Sequence, residues 1–123
     1  MDIEAGGNSD PERWDLKVEP LDNLIADLIR AANGVLGLGE FERARLLDRA
    51  YRGIRYAREV LGVQQDSLDR DSAIDFLTMS RSVQMFSDNE IKAALLEATG
   101  MIRDLRMTIE ARAEAILREA LRP

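Results

Sequence analysis

The sequence predicts an all-α protein: a four-helix, antiparallel, bundle-like domain with a long C-terminal helix, paired with a second copy as a dimer. Three observations carry that expectation. Apolar residues recur at steps of three and four through four separate stretches, the spacing of one helix face. No stretch alternates apolar and polar residues as a half-buried strand would. Helix start and stop signals, including capping residues and glycines, fall at the ends of the periodic stretches. A chain of 123 residues suits a single domain able to bury a working core.

Residues 1–19 mix glycine, asparagine, serine and proline with acids and show no sustained period, so a flexible acidic tail is expected. Within it, Trp14 is the chain's one tryptophan. It either folds back over an apolar edge of the domain or anchors a partner, as a large aromatic in an acidic segment can. The single helical domain is expected over 20–123. Its first helix spans about 21–36, with Leu21, Leu24, Ile25, Leu28, Ala32 and Val35 on one face and Pro20 suited to the first turn. Gly34, Gly37 and Gly39 then loosen the chain.

The second helix spans about 40–61, with a stripe of Leu47, Ala50, Ile54, Ala57 and Leu61. Gly62 is placed to end it in the left-handed conformation. The third, about 69–85, is apolar on two sides, with Ser80-Arg81-Ser82 as a possible interruption. The fourth, about 88–121, opens on Ser87-Asp88-Asn89-Glu90, which fits a capping box, with Phe86 and Ile91 placed for a hydrophobic staple.

From Ile91 the apolar positions run Leu95, Ala98, Ile102, Leu105, Ile109, Ala113, Ile116 and Ala120. Heptad spacing holds as far as Ile109, after which a step of four replaces the expected three. That stutter favours a nearly straight helix over a supercoiled one. Gly100 is the weak point, where the helix either bends or ends, and the unbroken register favours continuity. At about 1.5 Å per residue this helix is roughly 50 Å long and overhangs the others by about 20 Å. The overhang carries Leu105, Ile109, Ile116, Leu117 and Leu121, which need cover from outside the chain. These five form the candidate dimer or partner interface.

Composition removes much chemistry. With no cysteine there is no disulfide, thiolate zinc site or cysteine nucleophile, and with no histidine there is no His-based triad and no ordinary neutral-pH base. The net charge of −6 is concentrated in residues 1–20, which hold six acids against Arg13 and Lys17. The remainder is close to neutral. An arginine-rich, cysteine-free chain with no long apolar run and no signal-peptide pattern suggests a cytoplasmic protein of a bacterium or its phage, with no membrane partner.

Three constellations merit weighing. Arg45, Arg49, Arg52 and Tyr56 share one side of the second helix. They are a candidate face for an anion or an acidic partner, although neighbouring acids also suit an exposed face of weak ion pairs. Asp66, Asp69, Asp71 and Asp75 form the densest carboxylate cluster. Magnesium would need facing carboxylates from another helix, and a calcium loop would need glycine where Ile74 stands, so capping suits these acids better. Met79, Met85, Met101 and Met107 gather near the junction of the last two helices, either as core filling or as an adaptable surface. A helix-turn-helix reading sets Asp88, Asn89 and Glu90 against phosphates, so nucleic acid is not expected.

The function expected is therefore a small non-catalytic regulatory or adaptor protein that works by binding another protein, of the antiactivator, anti-repressor, immunity or chaperone type. No catalytic residue, cofactor or metal is expected. The rivals are a small magnesium-dependent helical enzyme acting on nucleotides or an anionic metabolite, and a nucleic-acid binder using the arginines of the second helix.

Overall fold

In the computed structural model, residues 19–62 and 72–122 are described. Among them there are four α-helices and no strand: α1 (Glu19–Asn33), α2 (Glu40–Leu61), α3 (Ser72–Ser80) and α4 (Asp88–Ala120). Short 3-10 turns follow α1 (Val35–Gly37) and precede α4 (Val83–Met85). No helix among the described residues is long and apolar enough to cross a membrane.

Each boundary has a local cause. The α4 start is the capping box that its sequence spells. Ser87 Oγ accepts from the Glu90 amide at 3.1 Å, and Glu90 Oε1 accepts from the Ser87 amide at 2.8 Å. Gly62 closes α2 with φ of 73°, a conformation that costs a glycine little, and its amide donates to the Arg58 and Glu59 carbonyls. The first helix gives way to a 3-10 turn at Val35, slightly earlier than its apolar spacing suggests.

The third helix departs furthest from expectation. It ends at Ser80 and does not continue to Met85. Ser80 Oγ donates back to the Leu77 carbonyl at 2.7 Å, competing with the regular helix ladder. The Arg81 and Ser82 amides then bond three residues back, to Thr78 and Met79, and Ser82 leaves the helical region. Its expected start at Asp69 lies outside the described residues.

The core is built from one stripe of each helix. Its fully buried large side chains are Leu21 and Leu28 of α1, Leu47 and Ile54 of α2, Phe76 of α3, and Ile91, Leu95 and Ile102 of α4. α4 packs chiefly against α1 and α2, whereas α3 packs chiefly against α2. The one buried polar side chain among the described residues, Thr99, is satisfied by donating to the Leu95 carbonyl at 2.8 Å.

Three arginines set how the helices align. Arg43, in the first turn of α2, donates to the Leu38 carbonyl at 3.1 Å and the Val35 carbonyl at 2.8 Å, and pairs with Asp88 at 2.7 Å. It ties the α1–α2 connection to the start of α4. Arg106 of α4 pairs with Asp22 at the start of α1, and Arg112 donates to the Leu61 carbonyl at the end of α2, at 2.7 Å. With both starts joined at Arg43 and Asp88, and Leu61 met at Arg112, α2 and α4 run side by side in the same direction. α1 runs opposite to both.

Helix α4 is continuous through Gly100. Ile109 is its last buried residue, and every described residue from 110 to 122 is exposed. The segment beyond Ile109 is therefore about three turns of helix, roughly 16 Å, exposed throughout and tied back to α2 through Arg112.

Candidate functional site

The arm of α4 is the most conspicuous unfinished surface. Ile109, Ala113, Ile116, Leu117, Ala120 and Leu121 fall within roughly 140° of one another around the helix, at about 100° per residue. The arm thus prolongs the stripe that buries Ile102 and Ile109 farther up. The five residues expected to need outside cover divide between these two regions. Ile116, Leu117 and Leu121 are 63%, 59% and 74% exposed. Ile109 is only 4% exposed, and Leu105 is half-buried against the core, so neither stands uncovered as the spacing suggested.

The reason is geometric. Position 109 lies between the two long-range anchors Arg106–Asp22 and Arg112–Leu61, which draw the start of α1 and the end of α2 over it. The overhang is shorter than the expected 20 Å because Arg112 extends the contact by a turn. Around the bare stripe the charges are mixed, Glu110, Glu114 and Glu119 alternating with Arg112, Arg118 and Arg122. Glu119 and Arg122 pair with each other at 3.2 Å. This composition gives the arm no strong preference for a charged surface.

The arginine stripe of α2 is not one free cationic face. Arg49 reaches across to Asp27 of α1 at 3.1 Å, and Asp27 also receives Arg30 at 3.1 Å. Arg52 pairs with Asp48 along its own helix at 3.0 Å. Tyr56 is half-buried against the core, and burial pushes its phenol up from the ordinary value. Arg45 alone of the four is exposed with no ion-pair partner among the described residues. Next along the helix, Arg55 lies over the Tyr51 ring, 5.8 Å from its centroid.

The methionines also separate. Met79 and Met101 are half-buried against the core, whereas Met85 and Met107 are exposed. Asp88 is taken up by Arg43. Of the aspartate cluster, Asp75 is in α3, while Asp66, Asp69 and Asp71 lie outside the described residues, as does Trp14. Among the described residues no three carboxylates gather where a metal ion could be held.

Two features escape sequence reasoning. One is the Arg43 clip. A cation in the first turn of a helix opposes the helix dipole, which was the available signal that it has an acceptor elsewhere. The other is an open groove of about 360 Å³ between α2 and α3, lined by Phe41, Ala44, Arg45, Asp48, Leu77, Ser80 and Arg81. It depends on where α3 stops, and the local pattern alone does not place that end. No family model, curated protein or solved structure matches this chain.

Proposed function

We propose that the chain is a small non-catalytic regulator or adaptor, of bacterial or phage cytoplasmic origin, that acts by binding other proteins as a homodimer. In this reading the four helices form an antiparallel bundle-like unit, and the α4 arms of two copies pack against each other about a two-fold axis. The observation that carries it is the uncovered apolar stripe of Ile116, Leu117 and Leu121, continuous with the buried stripe of the same helix. An antiactivator, anti-repressor, immunity protein or chaperone would each suit such a body.

Magnitudes bound the association. Covering three such side chains on each of two copies, at about 1–2 kcal/mol each, supports roughly 10 kcal/mol of gross interaction. Association itself costs about 4–15 kcal/mol in lost freedom. The dimer is therefore expected to be weak and concentration-dependent unless a further partner also covers the arm.

Light scattering over a concentration series tests this. The mass is expected to rise from 13.8 kDa toward twice that value, and Leu117→Glu is expected to hold it at the monomer with helix content unchanged. A strictly monomeric mass up to about 1 mM, where even a pair held by about 5 kcal/mol would be partly formed, would remove the dimer reading.

A further inference from the structure

At the opposite end of the molecule from the arm, the groove between α2 and α3 brings apolar side chains and two cations together across two helices. Its apolar lining is Phe41, Ala44 and Leu77, and Phe41 is 80% exposed although it is the largest side chain in its turn. Its rim carries two guanidinium groups, Arg45 and Arg81. Among the described residues neither has an ion-pair partner, whereas Arg43, Arg49, Arg52 and Arg106 each have one. The one acid in the lining, Asp48, is taken by Arg52.

Two further exposed apolar side chains stand outside the groove. Leu36 and Met85, both largely exposed, belong to the 3-10 turns at the same end of the molecule. The Val83–Met85 turn packs against α2, and Arg43 holds the Val35–Gly37 turn against the start of that helix. Exposed apolar side chains beside two cations that are unpaired among the described residues suit a segment that is itself apolar on one face and acidic on the other.

We propose that the α2–α3 groove is a docking site for an acidic amphipathic helix of a partner protein, with one large apolar side chain seated on Phe41, Ala44 and Leu77 and carboxylates set against Arg45 and Arg81. The proposal names a class of partner for the protein-binding role above and rests on that role. Charge complementarity selects this occupant. Glu40 and Glu42, in the first turn of α2, carry the opposite sign beside Phe41. They fix the direction of the docked helix, whose acids must lie toward Arg45 and Arg81. Those same acids oppose a nucleic-acid backbone, which needs an uninterrupted row of cations. The α4 arm of a second copy has a mixed-sign surface and lacks the acidic face that the groove requires.

The test is an NMR titration of the isotope-labelled full chain with a synthetic helix of about 16 residues that carries leucine and phenylalanine at i, i+3 and i+7, three glutamates along one flank of that apolar face, and alanine and glutamine elsewhere. Its counterpart has lysine in place of every glutamate. With the glutamate peptide, amide shifts are expected to concentrate at residues 41–48 and 77–81, to weaken with added salt, and to need at least about tenfold more peptide in Arg45→Glu/Arg81→Glu. Both arginines are exposed and unpaired among the described residues, so the double variant is expected to melt as the parent does.

Absence of shifts at about 1 mM glutamate peptide, where even a weak specific complex is populated, would overturn the proposal. So would equal shifts from the lysine peptide, or shifts confined to α4 beyond Ile109. Binding of a short DNA duplex at ~50 mM salt that is lost in the double variant, with the peptides silent, would assign the groove to a polyanion and overturn it too. The two readings fail separately. The double variant is expected to keep the parent's mass in light scattering, and Leu117→Glu is expected to leave the peptide titration unchanged.

Discussion

Replacing Gly100 with alanine is expected to stabilise this chain, and replacing Gly53 is not, although both glycines lie inside long helices. Gly100 has ordinary helical backbone, since Gly62 is the only described glycine with positive φ. Beyond its own helix backbone, a Cβ on Gly100 would meet no atom within 4 Å. The substitution therefore gains helix propensity and lost unfolded-state freedom with nothing opposing it, about 0.5–1 kcal/mol. For a domain of roughly 100 residues that raises the melting temperature by about 2–4 °C.

Gly53 gains the same propensity, but its Cβ would lie 2.5 Å from Leu24 Cδ2 and 3.8 Å from Ile102 Cδ1. Carbon pairs sit at about 3.5–4.0 Å, so Leu24 must retreat by about 1 Å into a core where it is already buried. Overpacking of that kind costs about 1–3 kcal/mol, which leaves Gly53→Ala between neutral and about 2 kcal/mol destabilised. Urea unfolding followed by circular dichroism measures both. A destabilised Gly100→Ala would refute the continuity of α4 through that position. A Gly53→Ala variant as stable as Gly100→Ala would refute the close approach of α1 to α2.

The other predictions concern single anchors. Arg43→Ala is expected to cost about 1.5–3 kcal/mol in urea unfolding, because two carbonyls lose a charged donor. Asp88→Ala, which removes a half-exposed partner of the same arginine, is expected to cost under about 1 kcal/mol, and equal costs would show that the ion pair dominates over the carbonyl bonds. Ser87→Ala is expected to lose about 0.5–2 kcal/mol, with amide exchange accelerated in the first turn of α4. Tyr56 has an alkaline signature. Its charged form is the deprotonated one and burial raises its folded pKa, so the unfolded chain ionises first. The stability it contributes is complete below about pH 10 and is lost as pH rises through the folded value. Thermal melts above pH 10 are therefore expected to fall less steeply in Tyr56→Phe than in the parent, and identical slopes would contradict this.

What was legible in the sequence is what depends on neighbours along the chain. Ser87 and Glu90 spell out their own reciprocal bonds three residues apart, and Gly62 stops α2 through its own backbone freedom. The apolar stripes of α2 and α4 could likewise be read from spacing alone. The end of α3 was legible only as a possible break at Ser80-Arg81-Ser82, because serine back-bonding competes with helix continuation by a small margin.

The site was less legible. Spacing identifies Ile109 and Ile116 as members of one stripe. It does not reveal that Arg106 and Arg112, each reaching a residue far away in sequence, bring cover as far as Ile109 and no farther. Arg45, Arg49 and Arg52 look equivalent on a helical wheel, yet their pairing depends on where Asp27 of α1 lands. Phe41 draws no attention between Glu40 and Glu42 until α3 ends opposite it.

The most direct test of the central claim, that two α4 arms cover each other, uses the absence of cysteine from the chain. A single Glu114→Cys variant carries one spin label per copy, so any dipolar signal arises between copies. Two arms of about 16 Å packed side by side at about 8–10 Å place the labels within about 40 Å of each other, inside the range of pulsed electron–electron resonance. A clear dipolar modulation is expected at a concentration of about 1 mM, and it is expected to disappear when Leu117→Glu is added. A flat trace at that concentration, or a modulation that survives Leu117→Glu, would show that the arms do not cover each other.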